Sequence, residues 1–457
     1  MKKLIKILGI IVGIIVLVTL IMAIFSICPP KGPWPTPLWC EDRELKNIGD
    51  FERDVTIKVL EEQWKKISEN DRYYFVRGKP AFSVIQQEFS QDYEKQEFQA
   101  PYIKAGMSIV SWPCSIHSMS EEQYLEAFEE EIVAMKKMNV NTIMVRVALQ
   151  QDTDYTKSAF IENTYGFSDK TVCDRIPYKK MDTTFPPEIM GKIFRKIHEN
   201  NLMVLLEFSS FPPEGFPWQT LIPWQGNVMA EDLTKFFSEY LERMMPYVKV
   251  AEQENVEITR IATEIEVIGK ERNTIFNATG EERIKERNTL FREKIIPSIR
   301  KEYKGLLTYG ENFQVIDQVD FWDKLDYIGI DFYMAFTNEN DPTVAELESS
   351  IKSLLNKKIL PLQQKYNKPV YFAELGYRSY DGDNRRPYEG EDAGRSWIDI
   401  HPDSPVDHQE QANEFNATFN VGKDIPWIYG YAIWSPGYDV AIGHGLKLPE
   451  ESIQYKL

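Results

Sequence analysis

The chain is short of the residues that many hydrolytic and metal sites are built from. Histidine occurs only five times in 457 residues, at 117, 198, 401, 408 and 444, with no HExxH spacing and no cluster, which argues against metal catalysis. The four cysteines, Cys28, Cys40, Cys114 and Cys173, form no CxxC pair, and none has a histidine at metal-ligand spacing, so a structural zinc site is not expected. They allow three disulfide pairings, among which sequence does not choose. A GxSxG elbow is missing, which disfavours a serine hydrolase of the α/β type, and no GxGxxG or GxxxxGK supports nucleotide binding. No cofactor is called for. Positive charge is also in deficit: 53 Lys and Arg face 70 Asp and Glu, a net charge of −17. Phosphate contact needs clustered cations that so acidic a chain does not offer, so nucleic acid is not an expected partner and neutral ligands suit the balance better.

One stretch carries no charge at all. Residues 7–27 are apolar and, at ~1.5 Å per residue, long enough to cross a bilayer core. Lys2, Lys3 and Lys6 precede them, so the positive-inside bias keeps the N-terminus in the cytoplasm and sends the rest across. Residues 1–28 are therefore expected to be an uncleaved transmembrane anchor, with the folded domain on the extracellular side. The competing reading is a cleaved signal peptide and a secreted protein. Residues 29–40 are proline-rich and read as a stiff spacer. Residues 41–100 read as a charged N-terminal extension, with a helix expected at 56–67 and a strand at 73–77. Asn277 and Asn416 lie in Asn-x-Thr sequons, surface positions if the host glycosylates.

From 101 to 457 the pattern becomes regular. Apolar runs at 104–112, 141–149, 202–208, 256–264, 306–310, 326–333, 369–374 and 427–434 are too short for helices and read as buried parallel strands. Most intervals between them carry helical periodicity. Ser120 and Gln123 suggest a capping box for the first helix, whose apolar face is Leu125, Phe128, Ile132 and Met135; Asp407 and Glu410 open the last. Eight alternations of this kind call for a (β/α)8 TIM barrel, whose working face is the carboxyl end of its strands. The fifth interval is the weakest, since only QVIDQVDFWDKL fills it. Only 23 residues follow the last strand, so the extension at 41–100 is expected to pack on the barrel where its eighth outer helix would lie.

Two glutamates then fall at equivalent places. Glu264 ends the fourth strand and Glu374 the seventh, so both open on one face. A pair of carboxyls facing each other at ~5 to 5.5 Å performs retaining glycoside hydrolysis, one attacking the anomeric carbon and the other serving as acid and then base. Glu207 and Asp331 also end strands and stand in reserve.

The run from Ile258 to Trp434 resembles glycoside hydrolase family 113, the clan A barrels of β-mannanase type. ITRIATEIE is similar to that family's fourth-strand stretch, KEYKGLLTYGENF with FWDKLDYIGIDFY to its fifth and sixth, and KPVYFAELGYRSYDG to its seventh. The resemblance implies Glu264 as acid/base and Glu374 as nucleophile, Tyr333 beside the nucleophile and Trp434 under the sugar being cleaved. It implies a β-linked polysaccharide or oligosaccharide of mannan or glucomannan type as substrate. The sequence departs from the family twice. The third strand leads through LLEFSSFPPEGFPW, which has no histidine, and a charged insertion, KERNTIFNATGEERIKERN, follows Glu264.

Other candidates have two readings each. Trp434 is a sugar platform or core, and Tyr333 a nucleophile partner or the cap of a buried backbone group. Asn312 binds a sugar hydroxyl or caps its loop. Trp218 and Trp224 line outer subsites or pack their loop down. Arg146 pairs either Glu374 or a structural carboxylate inside the barrel. A glycan-binding barrel without turnover, or a transglycosylase on another β-glycan, is the alternative to hydrolysis; nothing in the chain fixes the oligomeric state.

Overall fold

Runs of Val, Ile, Met and Tyr with two-residue alternation become eight parallel strands. The computed structural model describes residues 76–108, 121–151, 160, 185–211, 228, 230, 232–265, 280–385, 387 and 405–434. Helix α1 (Pro80–Phe89) precedes β1 (Ile103–Ser108); α2 (Glu121–Lys136), β2 (Thr142–Gln150), α3 (Pro187–Glu199), β3 (Met203–Phe211), α4 (Leu233–Gln253) and β4 (Ile258–Thr263) follow. Next come α5 (Gly280–Leu290), a π turn (Phe291–Ile295), α6 (Ile296–Glu302), β5 (Leu306–Asn312) and β6 (Ile328–Asp331). The chain continues through α7 (Val344–Leu354), a second π turn (Leu355–Ile359), α8 (Leu360–Tyr366), β7 (Val370–Leu375), α9 (His408–Lys423) and β8 (Ile428–Ile433). The strands pair in chain order and β8 closes on β1, with Ala105 opposite Ala432, so the sheet is a closed barrel.

Alternation along each strand sorts the side chains. Val145 and Val147 of β2 point out to a core shared with the helices, while Met144 joins Ile103, Leu205, Ile258, Tyr371 and Tyr429 in an inner apolar cluster. Further along the same strands the inward positions are charged: Arg146, Glu207 and Arg260. The barrel therefore has an apolar floor and an ionic upper layer beneath the carboxyl ends of its strands.

The weak fifth interval holds no α-helix. Two short 3-10 turns, Ile316–Gln318 and Trp322–Lys324, replace it. Phe321 stacks on Phe291 at 4.8 Å and meets Tyr309 edge-on, so aromatic packing covers β5 where a helix would otherwise lie.

The described part of the extension lies against the first and last strands of the barrel. Helix α1 buries Ala81, Ile85 and Phe89, and Phe89 packs on Phe419 of α9. Lys104 of β1 donates to the Phe89 carbonyl at 2.8 Å, and the Phe98 amide donates to the Tyr429 hydroxyl of β8 at 2.6 Å. At the other end of α1, Lys79 donates to Ser379 in the loop after β7 at 2.8 Å. The strand expected at 73–77 is not formed in its described part. Val76 precedes a turn in which Gly78 takes φ 78°, and Pro80 then starts α1 at the position where its missing N–H costs nothing.

Among the described residues no helix is long and apolar enough to cross a membrane. The run at 7–27, the spacer, the helix expected at 56–67, Ser120, Asn277 and all four cysteines lie outside the described residues. Asp407 caps α9 as expected, accepting from the amides of Gln409 and Glu410.

Candidate active site

Glu374 lies near the carboxyl end of β7: strand register sets Asn312 beside Asp331, and Asp331 beside Glu374. The ladder shifts just before Asp331 and again along β7, irregularities that re-aim side chains at the end of a strand. The Glu374 carboxylate accepts from Arg146 at 3.1 Å on one oxygen and from the Tyr333 hydroxyl at 3.2 Å on the other. Arg260 stands 3.8 Å away. Burial pushes the Glu374 carboxyl well above the usual carboxylate range, and neighbouring Asp331 adds to this, while Arg260 and Arg146 oppose it.

Below it lies a buried ionic lattice. Arg260 donates to Glu207 at 2.7 Å and to both oxygens of Asp331 at 2.6 and 2.8 Å. Arg146 pairs Glu207 as well as Glu374. Burial raises the Glu207 carboxyl, but its two guanidiniums reverse this and hold it below the ordinary range. Burial wins at Asp331, whose carboxyl is raised despite Arg260. The reserve candidates Glu207 and Asp331 are both fully buried and are members of this lattice.

Glu264 reaches the same face by another device. It directly follows β4, whose register shifts between Arg260 and Thr263, and takes φ 47°, a left-handed backbone that disfavours glutamate. The strained turn is pinned from three sides. The Glu264 amide donates to the Gly310 carbonyl at 2.8 Å, the Ile265 amide to the Tyr309 hydroxyl at 3.0 Å, and Arg287 to the Ile265 carbonyl at 2.9 Å. Asn312 donates to the Glu264 carboxylate at 3.2 Å.

A parallel barrel with buried glutamates after β4 and in β7 does not by itself fix an activity. The profile of Glycoside Hydrolase Family 113 matches residues 117–440. The chain belongs to glycoside hydrolase family 113. It is therefore a glycoside hydrolase. Its fold is similar to that of the family 113 β-mannanase AaManA from Alicyclobacillus acidocaldarius, solved in complex with ManMIm, at 19% identity and TM-score 0.52, covering 74% of this chain and 88% of that one. A second family 113 β-1,4-mannanase structure gives 18% identity and TM-score 0.51, covering 75% and 90%. No curated protein sequence matches the chain.

Within this family 113 barrel the expected site residues fall as follows. Glu374, Tyr333 and Arg146 meet directly, and the Arg146 guanidinium lies 4.6 Å from the centre of the Trp434 ring, so half-buried Trp434 stands beside the same carboxylate. Arg146 answers both of its expectations, since it holds Glu374 and Glu207 at once. Asn312 also does two things: its carbonyl oxygen caps the loop by accepting from the Gln314 amide at 2.9 Å, and its amide orients Glu264. Trp218 and Trp224 lie outside the described residues. The third strand, which lacks a histidine, carries Ser209 and Ser210 just before its last residue, bonded to Glu207 and to Gln151. The charged insertion is helical from Gly280, and its Arg287 is the residue that fixes the backbone after Glu264.

Arg260 was not singled out by the sequence. Its signal was the two-residue period of ITRIAT, which turns that arginine inward between Ile258 and the mouth. Gly310 was missed as well. A Cβ there would lie 1.9 Å from an Arg260 nitrogen, so only glycine lets the guanidinium pass.

Proposed function

We propose that this family 113 enzyme is a retaining β-mannanase, with Glu374 as nucleophile and Glu264 as acid/base. The observation that carries this reading is the contrast between the two carboxyls. Glu374 accepts from a guanidinium and a tyrosine hydroxyl, donors that favour its ionised form against the burial that opposes it, whereas the group that donates to Glu264 at 3.2 Å is the neutral Asn312 amide. Glu374 attacks the anomeric carbon while Glu264 protonates the departing glycosidic oxygen; Glu264 then takes a proton from the water that releases the sugar. Trp434 offers a flat ring for the apolar face of the pyranose, and Tyr333 keeps Glu374 oriented. The β-mannanase activity of the similar structures supports mannan or glucomannan as substrate. The charge-free run at 7–27 supports a membrane anchor with the barrel outside the cell.

The test is sugar release from β-mannan, glucomannan, β-glucan and xylan, beside Glu374→Ala and Glu264→Gln. Mannan-type polymers are expected to be cleaved fastest, with products of β configuration by NMR. Both variants should lose about a thousandfold or more in kcat. Inverted products, or a variant that keeps its rate, would contradict the assignment.

A further inference from the structure

Tyr309 of β5 is fully buried, and its ring meets Phe291, Phe321 and Trp322 edge-on at 5.6, 5.2 and 5.8 Å. A phenylalanine would make the same ring contacts, so the core does not account for the hydroxyl. That oxygen donates to Glu311 at 2.9 Å and accepts from the Ile265 amide at 3.0 Å. Burial pushes the phenol well above its usual range and the neighbouring Glu311 adds to this, so the group stays a neutral donor. Ile265 is the residue after Glu264, and its carbonyl is taken at 2.9 Å by Arg287 of α5, which also reaches Glu311 at 3.2 Å. Glu311 thus joins the two side chains that hold Ile265, and neither of them comes from β4.

Two soft torsions set the direction in which a side chain leaves the backbone. At Glu264 the peptide before Cα is held by the Gly310 carbonyl, 2.8 Å from the Glu264 amide, and the peptide after it by the Tyr309 hydroxyl. Together they fix ψ as well as the φ of 47°, and with them the path of the carboxyl. We propose that Tyr309 is a positioning residue for Glu264: its hydroxyl, through the Ile265 amide, aims the carboxyl at the glycosidic oxygen. The inference rests on the reading of Glu264 as acid/base. In the first step the Glu264 proton passes to that oxygen as its bond to the anomeric carbon breaks; the bonding pair stays with the oxygen, and Glu374 forms the new bond to the carbon. A proton donor works only within hydrogen-bond reach, and a displacement of about 1 Å can cost about a hundredfold. A leaving group that departs as a stable anion needs no proton, so only substrates with a poor leaving group should sense the loss.

The test is Tyr309→Phe, which keeps the ring and removes the hydroxyl, read as kcat/KM on a mannan oligosaccharide and on dinitrophenyl β-mannobioside. The oligosaccharide should lose about tenfold or more and the aryl glycoside less than about threefold. A loss as large on the aryl glycoside, or none on either substrate, overturns the proposal, since a general disturbance of the barrel would slow both. Glu264→Gln is the reference. It should show the same split more steeply, and adding Tyr309→Phe to it should cost the oligosaccharide less than about threefold further, because the hydroxyl acts through Glu264. A split in Glu264→Gln with none in Tyr309→Phe removes the positioning role alone. If Glu264→Gln slows both substrates alike, the acid/base reading has failed and the proposal falls with it. Should Tyr309→Phe not fold, Arg287→Lys, at the other polar group of Ile265, carries the same comparison, and equal losses there overturn the proposal too.

Discussion

Five non-glycine residues among those described have a left-handed backbone, and four of them, Asn139, Asn201, Asn255 and Asn367, are asparagines at helix ends. That is where such a conformation costs least. Glu264 is the fifth, and neither a helix end nor an amide side chain accounts for it. The strain, of order 1 kcal/mol, is held in place by Tyr309, Arg287 and the Gly310 carbonyl, and it directs a carboxylate into the mouth. Glu264→Asn should therefore abolish turnover while raising stability by about 0.5–1 kcal/mol, read as a higher thermal midpoint; a lowered midpoint would show that the carboxylate's own bonds outweigh the strain. The position of Glu264 was legible in the sequence because a polar residue closes an apolar strand. Its backbone was not legible, because φ is set by partners that arrive from β5 and α5.

At the scale of elements, β4 and β5 are fitted around one side chain. Arg260 lies flat across Gly310, and the β4 register shift follows immediately. Gly310→Ala should displace the guanidinium from Glu207 and Asp331 and cost about 3 kcal/mol or more, as breaking a buried ion pair does; denaturant unfolding would measure it. An unchanged midpoint would mean that the arginine has room to move. The strands themselves were legible within a few residues, because burial on both faces leaves continuous apolar runs. The fifth crossover was legible as a weakness for the same reason, since QVIDQVDFWDKL has no helical stripe. What fills the gap, a stack of Phe291 on Phe321, joins residues too far apart for periodicity to link them.

For the whole molecule, the notable departure from simple alternation is α1. It comes from ahead of the first strand and runs from Ser379 near the mouth to β1 at the floor, against α9. Residues 41–100 gave no helix signal at 80–89, because only Ala81, Ile85 and Phe89 of that segment are fully buried and a stripe so narrow is easily missed. Burial of Ile85 and Phe89 is worth about 1.5–3 kcal/mol each, a large share of a domain's net stability. A chain starting at residue 76 is expected to fold and hydrolyse glycan, and one starting at 101 to aggregate or melt well below it. Equal melting of the two by calorimetry would remove α1 from the barrel's stability.

The same helix also imposes a delay during synthesis. Lys95, just past α1, bonds at 2.8 Å to the Ile425 carbonyl, 330 residues later in the chain. At about 5–20 residues per second a ribosome needs roughly 15–65 seconds to cover that distance. For most of that time the face bearing Ile85 and Phe89 is already made, and its partner Phe419 in α9 does not yet exist. The nascent chain must keep an apolar helix from other chains for most of its own translation, and the barrel closes only at the end.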